Sequence, residues 1–237
     1  MLWKNWFPVW SVKMGEHKFI PCSFFEELPV EEMEVRARAF AEEMAKRRSV
    51  RDFAKRPVSE EVIRNCLRAA SLAPSGANMQ PWHFVVVGDP KTKKEIRAAA
   101  EKEEEEFYSR RAPEEWLAAL APLGTNPDKP LLVRAPYVIA VFAQRYGIDE
   151  KGDRVRHYYV SESVGIAVGF LLVALHHAGL VAAIHTPMQM GFLNDILDVS
   201  QNERAYLLLA VGYPAKDARL PAIEKKSLDE VCTFIKG

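Results

Sequence analysis

Cysteine is scarce in this 237-residue sequence, which contains only Cys22, Cys66 and Cys232. The three residues are odd in number and widely spaced, so they form neither a CxxC pair nor a disulfide framework. Such cysteine usage is typical of a protein kept in a reducing compartment. We therefore expect the cytoplasm as its location.

Net charge is also absent, because 32 basic residues balance 32 acidic ones. A neutral chain has no overall field to attract nucleic acid or an anionic membrane surface. No run of eighteen apolar residues occurs, and the longest apolar stretch, 164–175, has the length of a buried helix in a soluble protein. We expect neither a nucleic-acid partner nor a membrane span.

The common signatures of nucleotide, hydrolase and metal sites are missing as well. The sequence has no GxGxxG, Walker A, GxSxG or HExxH motif and no Cys/His cluster with metal-ligand spacing. His17, His83 and His157 likewise have no other candidate ligand at a metal-binding spacing. We expect no metal, and the chemistry must come from other residues.

Apolar periodicity predicts one domain in which helices and strands alternate. The predicted helices cover 31–47, 59–70, 91–111, 158–178 and 192–197, and the predicted strands cover 82–87, 137–143, 181–184 and 206–211. This order favours a sheet sandwiched by helices. We divide the chain into an N-terminal arm, 1–30, and a domain, 31–237, which ends in an extended arm with a short helix, 216–237.

Two segments invite interpretation by composition alone. Residues 112–130 contain four prolines and Gly124, too broken for one regular element, and we expect a mobile lid over about 108–130. The opening MLWKNWFPVWSVKMG lacks the small-residue cleavage site of a secretory signal. Either the chain starts at Met14, or the aromatic residues form an arm that packs on a partner subunit.

A basic run, Arg47-Arg-Ser-Val-Arg51, follows the first predicted helix. Its three guanidinium groups and one hydroxyl could hold a phosphate through bidentate hydrogen bonds. A solvated basic helix end would have the same composition. The run therefore needs a second motif beside it before it indicates a site.

That second motif is Ala73-Pro-Ser-Gly-Ala-Asn-x-Gln-Pro-Trp-x-Phe, and together the two resemble the opening signature of the nitroreductase-fold flavoproteins. Gly179-Leu-x5-Thr186-Pro and Leu208-Leu-Ala-Val-Gly-Tyr-Pro214 resemble later family segments. The resemblance implies an α+β fold with a mostly antiparallel sheet, and a homodimer with noncovalent FMN at its interface. It also implies an FMN site formed by Arg47, Arg48, Ser49, Val50, Arg51, Pro74, Ser75, Gly76, Ile184, His185, Thr186 and either Lys225 or Lys226.

Within that superfamily, the chain resembles the iodotyrosine deiodinase family through Glu104, Tyr108 and Lys129. Glu104 and Tyr108 are four residues apart and so share one helix face. A carboxylate for an ammonium, a lysine for a carboxylate and a tyrosine as aromatic wall together make an amino-acid clamp. The resemblance implies reductive removal of halogen from halotyrosines, with the backbone N–H of Ala77 donating to the substrate phenolate. Glu104 alone could equally belong to a solvated charge run.

Thr186 is the predicted catalytic residue. By resemblance, its hydroxyl hydrogen-bonds flavin N5 and favours one-electron chemistry, whereas the plain alternative is a strand-end threonine before Pro187. His185 departs from the smaller residue expected there, which bears on how closely the backbone approaches the flavin. Lys225 or Lys226 would replace a family arginine as a point charge.

Two other functions stay open at this point. A general NAD(P)H-dependent nitroreductase or quinone reductase needs the same flavin site without the clamp, and a flavin-binding sensor needs no turnover. The electron donor is external, either NAD(P)H or a flavin reductase. The sequence names neither the donor nor the preferred halogen.

Overall fold

The structure, a computed structural model, describes residues 19–236. The expectations for residues 1–18, including a start at Met14, lie outside the described residues. The chain divides into two units, Met1–Glu42 and Glu43–Gly237. The described part of the first unit consists of irregular chain and most of the first helix, on which the apolar Met33 and Phe40 are exposed.

Within residues 19–236, the secondary structure follows the predicted alternation. The helices are α1 (Val30–Lys46), α2 (Glu60–Ser71), α3 (Pro90–Glu106), α4 (Glu114–Leu120), α5 (Leu131–Arg134), α6 (Val160–His177), α7 (Phe192–Leu197) and α8 (Leu228–Val231). The strands are β1 (Trp82–Val87), β2 (Tyr137–Gln144), β3 (Tyr146–Ile148), β4 (Arg154–Arg156), β5 (Val181–His185) and β6 (Glu203–Gly212).

Four of these strands form the central sheet in the order β1, β2, β6, β5, and every neighbouring pair is antiparallel. The predicted antiparallel sheet is therefore confirmed. Its strands are continuous apolar runs because both faces of the sheet are covered. Ile139, Val141 and Leu209 point to one core, and Ala140 and Leu208 point to the other.

Helices α2 and α6 cover the first face, and α3, α5 and α7 cover the second. Burial of Ile63 from α2 and Leu171 from α6 stabilises the first core, while Ile96 from α3 and Leu193 from α7 do so in the second. Each of these side chains contributes roughly 1.5–3 kcal/mol by leaving water. The sheet is thereby held at the centre of the layers, as predicted.

Helix α6 is long and apolar enough to cross a membrane by length and composition. Its buried residues, among them Val164, Leu171 and Leu175, pack in the first core. Its other face exposes Ile166 and Phe170. The apolar composition of α6 therefore serves the core on one side and leaves an uncovered apolar face on the other.

The end of α3, the lid and the segment after β2 differ from the prediction. The helix expected over 91–111 ends at Glu106 and continues as a π-helical turn, Phe107–Arg111, in which Arg111 pairs with Glu103 and Glu106. The expected lid contains the regular helix α4. The β3–β4 hairpin was not predicted, because three-residue strands carry too few side chains to show an alternation.

Candidate functional site

A cavity of about 280 Å³ lies where the end of α3, the lid and the end of β5 meet. Aromatic and aliphatic lid residues, including Trp116 and Leu120, form part of its wall. Seven residues predicted from the sequence also line it: Arg51, Glu104, Tyr108, Lys129, Ile184, His185 and Thr186. The structure thus brings the predicted amino-acid clamp and part of the predicted FMN site into one space.

Glu104 and Lys129 form an ion pair in this cavity, with 2.9 Å between Glu104 Oε2 and Lys129 Nζ. Their side chains are only 13% and 7% exposed, respectively. Lys129 Nζ also donates to the backbone carbonyl of Asn126. This pair of opposite charges is largely out of water. It is complementary to a ligand that carries an ammonium and a carboxylate close together, as an amino acid does.

Tyr108 stands beside this pair because it lies one turn beyond Glu104. Its ring centroid is 5.8 Å from Lys129 Nζ, and its hydroxyl shares a 3.0 Å hydrogen bond with Thr125 Oγ1. Phe107 packs edge to face on Trp116 at 5.0 Å between centroids. These contacts tie the π-helical turn to the lid and give the cavity an aromatic side.

A second polar network fixes the backbone of Lys129, and sequence reasoning missed it. Glu101 Oε1 accepts the Lys129 backbone N–H at 2.7 Å and the Arg97 Nε–H at 2.7 Å. Arg97 also donates to Asp128 Oδ1 at 2.6 Å, and its hydrogen bond to Glu101 raises the pKa of the guanidinium. Residues 97, 101, 104 and 108 recur at spacings of four, three and four, a signal that could have revealed the shared helix face.

The basic run lies alongside β5. Ser49 forms a parallel bridge with Ala182, and the Val50 N–H donates to the Ala182 carbonyl at 3.2 Å. This pairing brings Arg51 to the cavity beside Thr186, while Arg47 and Arg48 line a separate cavity of about 110 Å³. The three guanidinium groups of this segment therefore line two cavities, and their positive charge suits a phosphate such as that of FMN.

His185 is 9% exposed and lines the cavity. Its Nε2 is buried and has no hydrogen-bond partner within residues 19–236. The nearest acidic atom is Glu104 Oε1, at 4.0 Å. Burial, reinforced by the positive charges of Lys129 and Arg51, lowers the pKa of His185 to about 3, so the imidazole is neutral at physiological pH.

The predicted residues of the Ser-Gly loop lie elsewhere in this chain. The Gly76 N–H donates to Ser163 Oγ at 3.2 Å, at the start of α6, and a Cβ on Gly76 would come within 2.9 Å of the Tyr158 carbonyl. Ala77 has a left-handed φ of 50°, and its backbone N–H makes no hydrogen bond within the described residues. The lining of the cavity includes none of the four loop residues, Pro74, Ser75, Gly76 and Ala77.

The C-terminal lysines are also apart from the cavity. Lys225 and Lys226 are exposed on the tail. The same tail does approach the basic run, because Arg48 donates to the Pro221 carbonyl at 2.6 Å. The tail thus passes Arg48 four residues before the two lysines.

Comparison with known proteins identifies the family of this chain. The nitroreductase family model matches residues 44–213. An iodotyrosine deiodinase from Haliscomenobacter hydrossis is 50% identical over 208 residues, which cover 88% of this chain and 93% of that protein. One from Nematostella vectensis is 45% identical over 91% of this chain and 83% of its own length.

A solved structure gives the same result for the fold. The crystal structure of an oxidized iodotyrosine deiodinase bound to FMN and 3-iodo-L-tyrosine aligns with a TM-score of 0.69 at 32% identity. The alignment covers 82% of this chain and 99% of that one. The predicted nitroreductase-like fold is confirmed, and the chain belongs to the nitroreductase family and, within it, to the iodotyrosine deiodinases.

Proposed function

We propose that this protein is an FMN-dependent oxidoreductase that removes halogen from halotyrosines, converting iodotyrosine to tyrosine and iodide. The reaction replaces a ring carbon–iodine bond by a carbon–hydrogen bond and consumes two electrons and one proton. One observation carries the proposal. The Glu104–Lys129 pair and Tyr108 face the same cavity as Thr186, so an amino-acid clamp and a flavin contact share one space.

FMN, when bound, supplies the electrons one at a time. Arg47, Arg48 and Arg51, with the Ser49 hydroxyl, are the groups of this chain that suit its phosphate and polar edge. The Thr186 hydroxyl would donate to N5 of the ring. The protein's own contribution is orientation and the exclusion of water, while the redox chemistry belongs to the cofactor.

The clamp binds the amino-acid end of the substrate. Lys129 takes the carboxylate and Glu104 takes the ammonium, so the ion pair between them opens and each charge gains a new partner. Tyr108 adds a hydrogen bond and an aromatic wall. Because these groups contact the zwitterion and not the halogen, iodo, bromo and chloro substrates all suit the clamp.

We also propose that two copies of the chain complete each site. The exposed apolar face of α6, with Ile166 and Phe170, suits burial against a second copy. The adjacent Ser-Gly loop would then bring the Ala77 N–H, which is free within the described residues, to the phenolate oxygen of the substrate. Light scattering of the FMN-loaded protein should give the mass of a dimer with one FMN per chain. A monomer that retains FMN would contradict this part.

The electron donor is external to the site, as NAD(P)H or a flavin reductase. The free thiols of Cys22, Cys66 and Cys232 support a cytoplasmic location. Steady-state assays with each donor, at equal concentrations of the FMN-loaded protein, would identify which one sustains turnover.

The test separates halotyrosine reduction from general nitroreductase activity. We expect Glu104→Gln and Lys129→Met to abolish most turnover of 3-iodotyrosine while a nitroaromatic acceptor is still reduced. The control is Lys102→Met, which removes an exposed lysine from the same helix as Glu104. If either clamp variant retained full activity on 3-iodotyrosine, the general nitroreductase would be the better description. FMN that no donor and acceptor pair can cycle would favour a sensor.

A further inference from the structure

The unpartnered Nε2 of His185 is the feature of the cavity that the proposed clamp does not use. A buried polar atom without a hydrogen bond costs free energy, and folded proteins satisfy nearly all such atoms. Here the atom lies in the wall of the ligand cavity, on a side chain that is 9% exposed. An unsatisfied atom in that position points to a partner that arrives with the ligand.

The charge state of His185 restricts the chemistry of that partner. Burial, together with the positive charges of Lys129 and Arg51, lowers the pKa of the imidazole and keeps it neutral, so in the tautomer with the proton on Nδ1 the Nε2 atom offers a lone pair. Neither a carboxylate nor a phosphate can donate to a lone pair. A ligand ammonium can do so, and it is drawn to the same place by Glu104.

The spacing of the two acceptors also suits an ammonium. Nitrogen donors bond such acceptors at about 2.8 Å, so two acceptors sharing one tetrahedral nitrogen lie roughly 4.6 Å apart. The distance between His185 Nε2 and Glu104 Oε1 is 4.0 Å. That distance is too long for a direct hydrogen bond, and a small rotation of the Glu104 carboxylate would admit the shared nitrogen.

We propose that His185 is a further substrate-binding residue, whose Nε2 accepts a hydrogen bond from the substrate ammonium beside Glu104. The inference rests on the proposed function and deepens it, because it gives the amino group two acceptors instead of one. It makes the site selective for a free primary ammonium. It also gives a function to the residue that departs from the smaller side chain expected before Thr186.

The experiment compares two ligands on the oxidised, FMN-loaded protein by quenching of flavin fluorescence. The ligands are 3-iodotyrosine and its desamino analogue, 3-(4-hydroxy-3-iodophenyl)propionate. We expect His185→Leu to raise the Kd of 3-iodotyrosine about tenfold or more, because a hydrogen bond to a charged group is lost. Binding of the desamino analogue should stay within about twofold, because it has no group that reaches Nε2. His185→Gln, whose amide oxygen can replace Nε2, should recover most of the affinity.

Several outcomes would overturn the inference. Equal weakening of both ligands would mean that His185 only shapes the cavity, and equal affinity of wild type and His185→Leu would mean no contact. Loss of FMN affinity without ligand discrimination would assign the imidazole to the cofactor instead. Failure of the wild type to bind 3-iodotyrosine would overturn the proposed function itself, which keeps the two failures distinct.

A second measurement uses only the wild type, in case His185→Leu does not load FMN. N,N-dimethyl-3-iodotyrosine keeps the positive charge but has a single N–H, which cannot serve two acceptors at once. Its affinity should fall well below that of 3-iodotyrosine. Equal affinity of the two ligands would overturn the shared ammonium site.

Discussion

Substitution of Lys129 by methionine tests the clamp most sharply, because methionine keeps the length and apolar stem of lysine and removes its charge. The ammonium lies 2.9 Å from Glu104 Oε2 and also donates to Asn126, with the two charged side chains 7% and 13% exposed. Removing one partner of a fully buried pair costs about 3–5 kcal/mol. Since this pair borders an open cavity, we expect about 2–3 kcal/mol of lost stability.

The same substitution should weaken the binding of 3-iodotyrosine by an amount that can be calculated. A hydrogen bond between charged groups contributes about 1.5–3 kcal/mol, so the Kd of 3-iodotyrosine should rise roughly 10-fold to 150-fold. The double variant Glu104→Gln/Lys129→Met should regain stability, because no buried charge is left alone, yet it should not regain affinity. The second substitution should therefore raise the stability without restoring the affinity for 3-iodotyrosine.

The assay is urea unfolding at fixed protein and FMN concentrations, together with fluorescence quenching by 3-iodotyrosine. Lys102→Met is the matched control, and it should leave both quantities near the wild-type values, since Lys102 is exposed. The reasoning would be refuted if Lys129→Met matched Lys102→Met in both measurements. It would also be refuted if the double variant were less stable than Lys129→Met alone.

Three further predictions follow from the same geometry. Glu101→Gln weakens the acceptor of the Lys129 backbone N–H, so it should raise KM for 3-iodotyrosine about five- to tenfold and leave FMN reduction by dithionite unchanged. The control Glu105→Gln, on the exposed face of the same helix, should leave both quantities unchanged. Thr186→Ala should lower the single-turnover rate of dehalogenation about tenfold and leave the Kd of 3-iodotyrosine nearly unchanged. The folded-state pKa of His185, about 3, lies below its unfolded value of 6.5, so its contribution to stability is complete above pH 6.5 and is lost as pH falls toward 3. At pH 5 that loss is about 2 kcal/mol, and urea unfolding of His185→Gln should show a flatter pH profile in that window.

The sheet and its helices could be predicted because their apolar patterns are long. Strands β2 and β6 are buried on both faces, and that burial requires the uninterrupted runs YVIAVFA and YLLLAV, while the edge strand β1 is only partly buried. Helix α4 was missed because the prolines and Gly124 around EEWLAAL outweighed its short helical pattern. The β3–β4 hairpin and the π-helical turn depend on local pairing that leaves no periodic signal.

Helical geometry alone predicts the site only where its residues share an element. Glu104 and Tyr108 are four apart on one helix, so their common face follows from helical geometry. The pairing of Glu104 with Lys129, 25 residues away, required a resemblance to suggest it and a folded chain to position it. The unpartnered atom of His185 had no sequence signal, because burial and the lack of a neighbour are properties of the fold.

The central claim is that the protein transfers electrons to a halotyrosine, and a single-turnover reaction tests it directly. The FMN-loaded protein would be reduced with one equivalent of dithionite without oxygen, mixed with 3-iodotyrosine, and analysed for tyrosine and iodide. The account predicts one tyrosine and one iodide for each FMN oxidised. Recovery of intact 3-iodotyrosine from reduced protein that still reduces a nitroaromatic compound would contradict it.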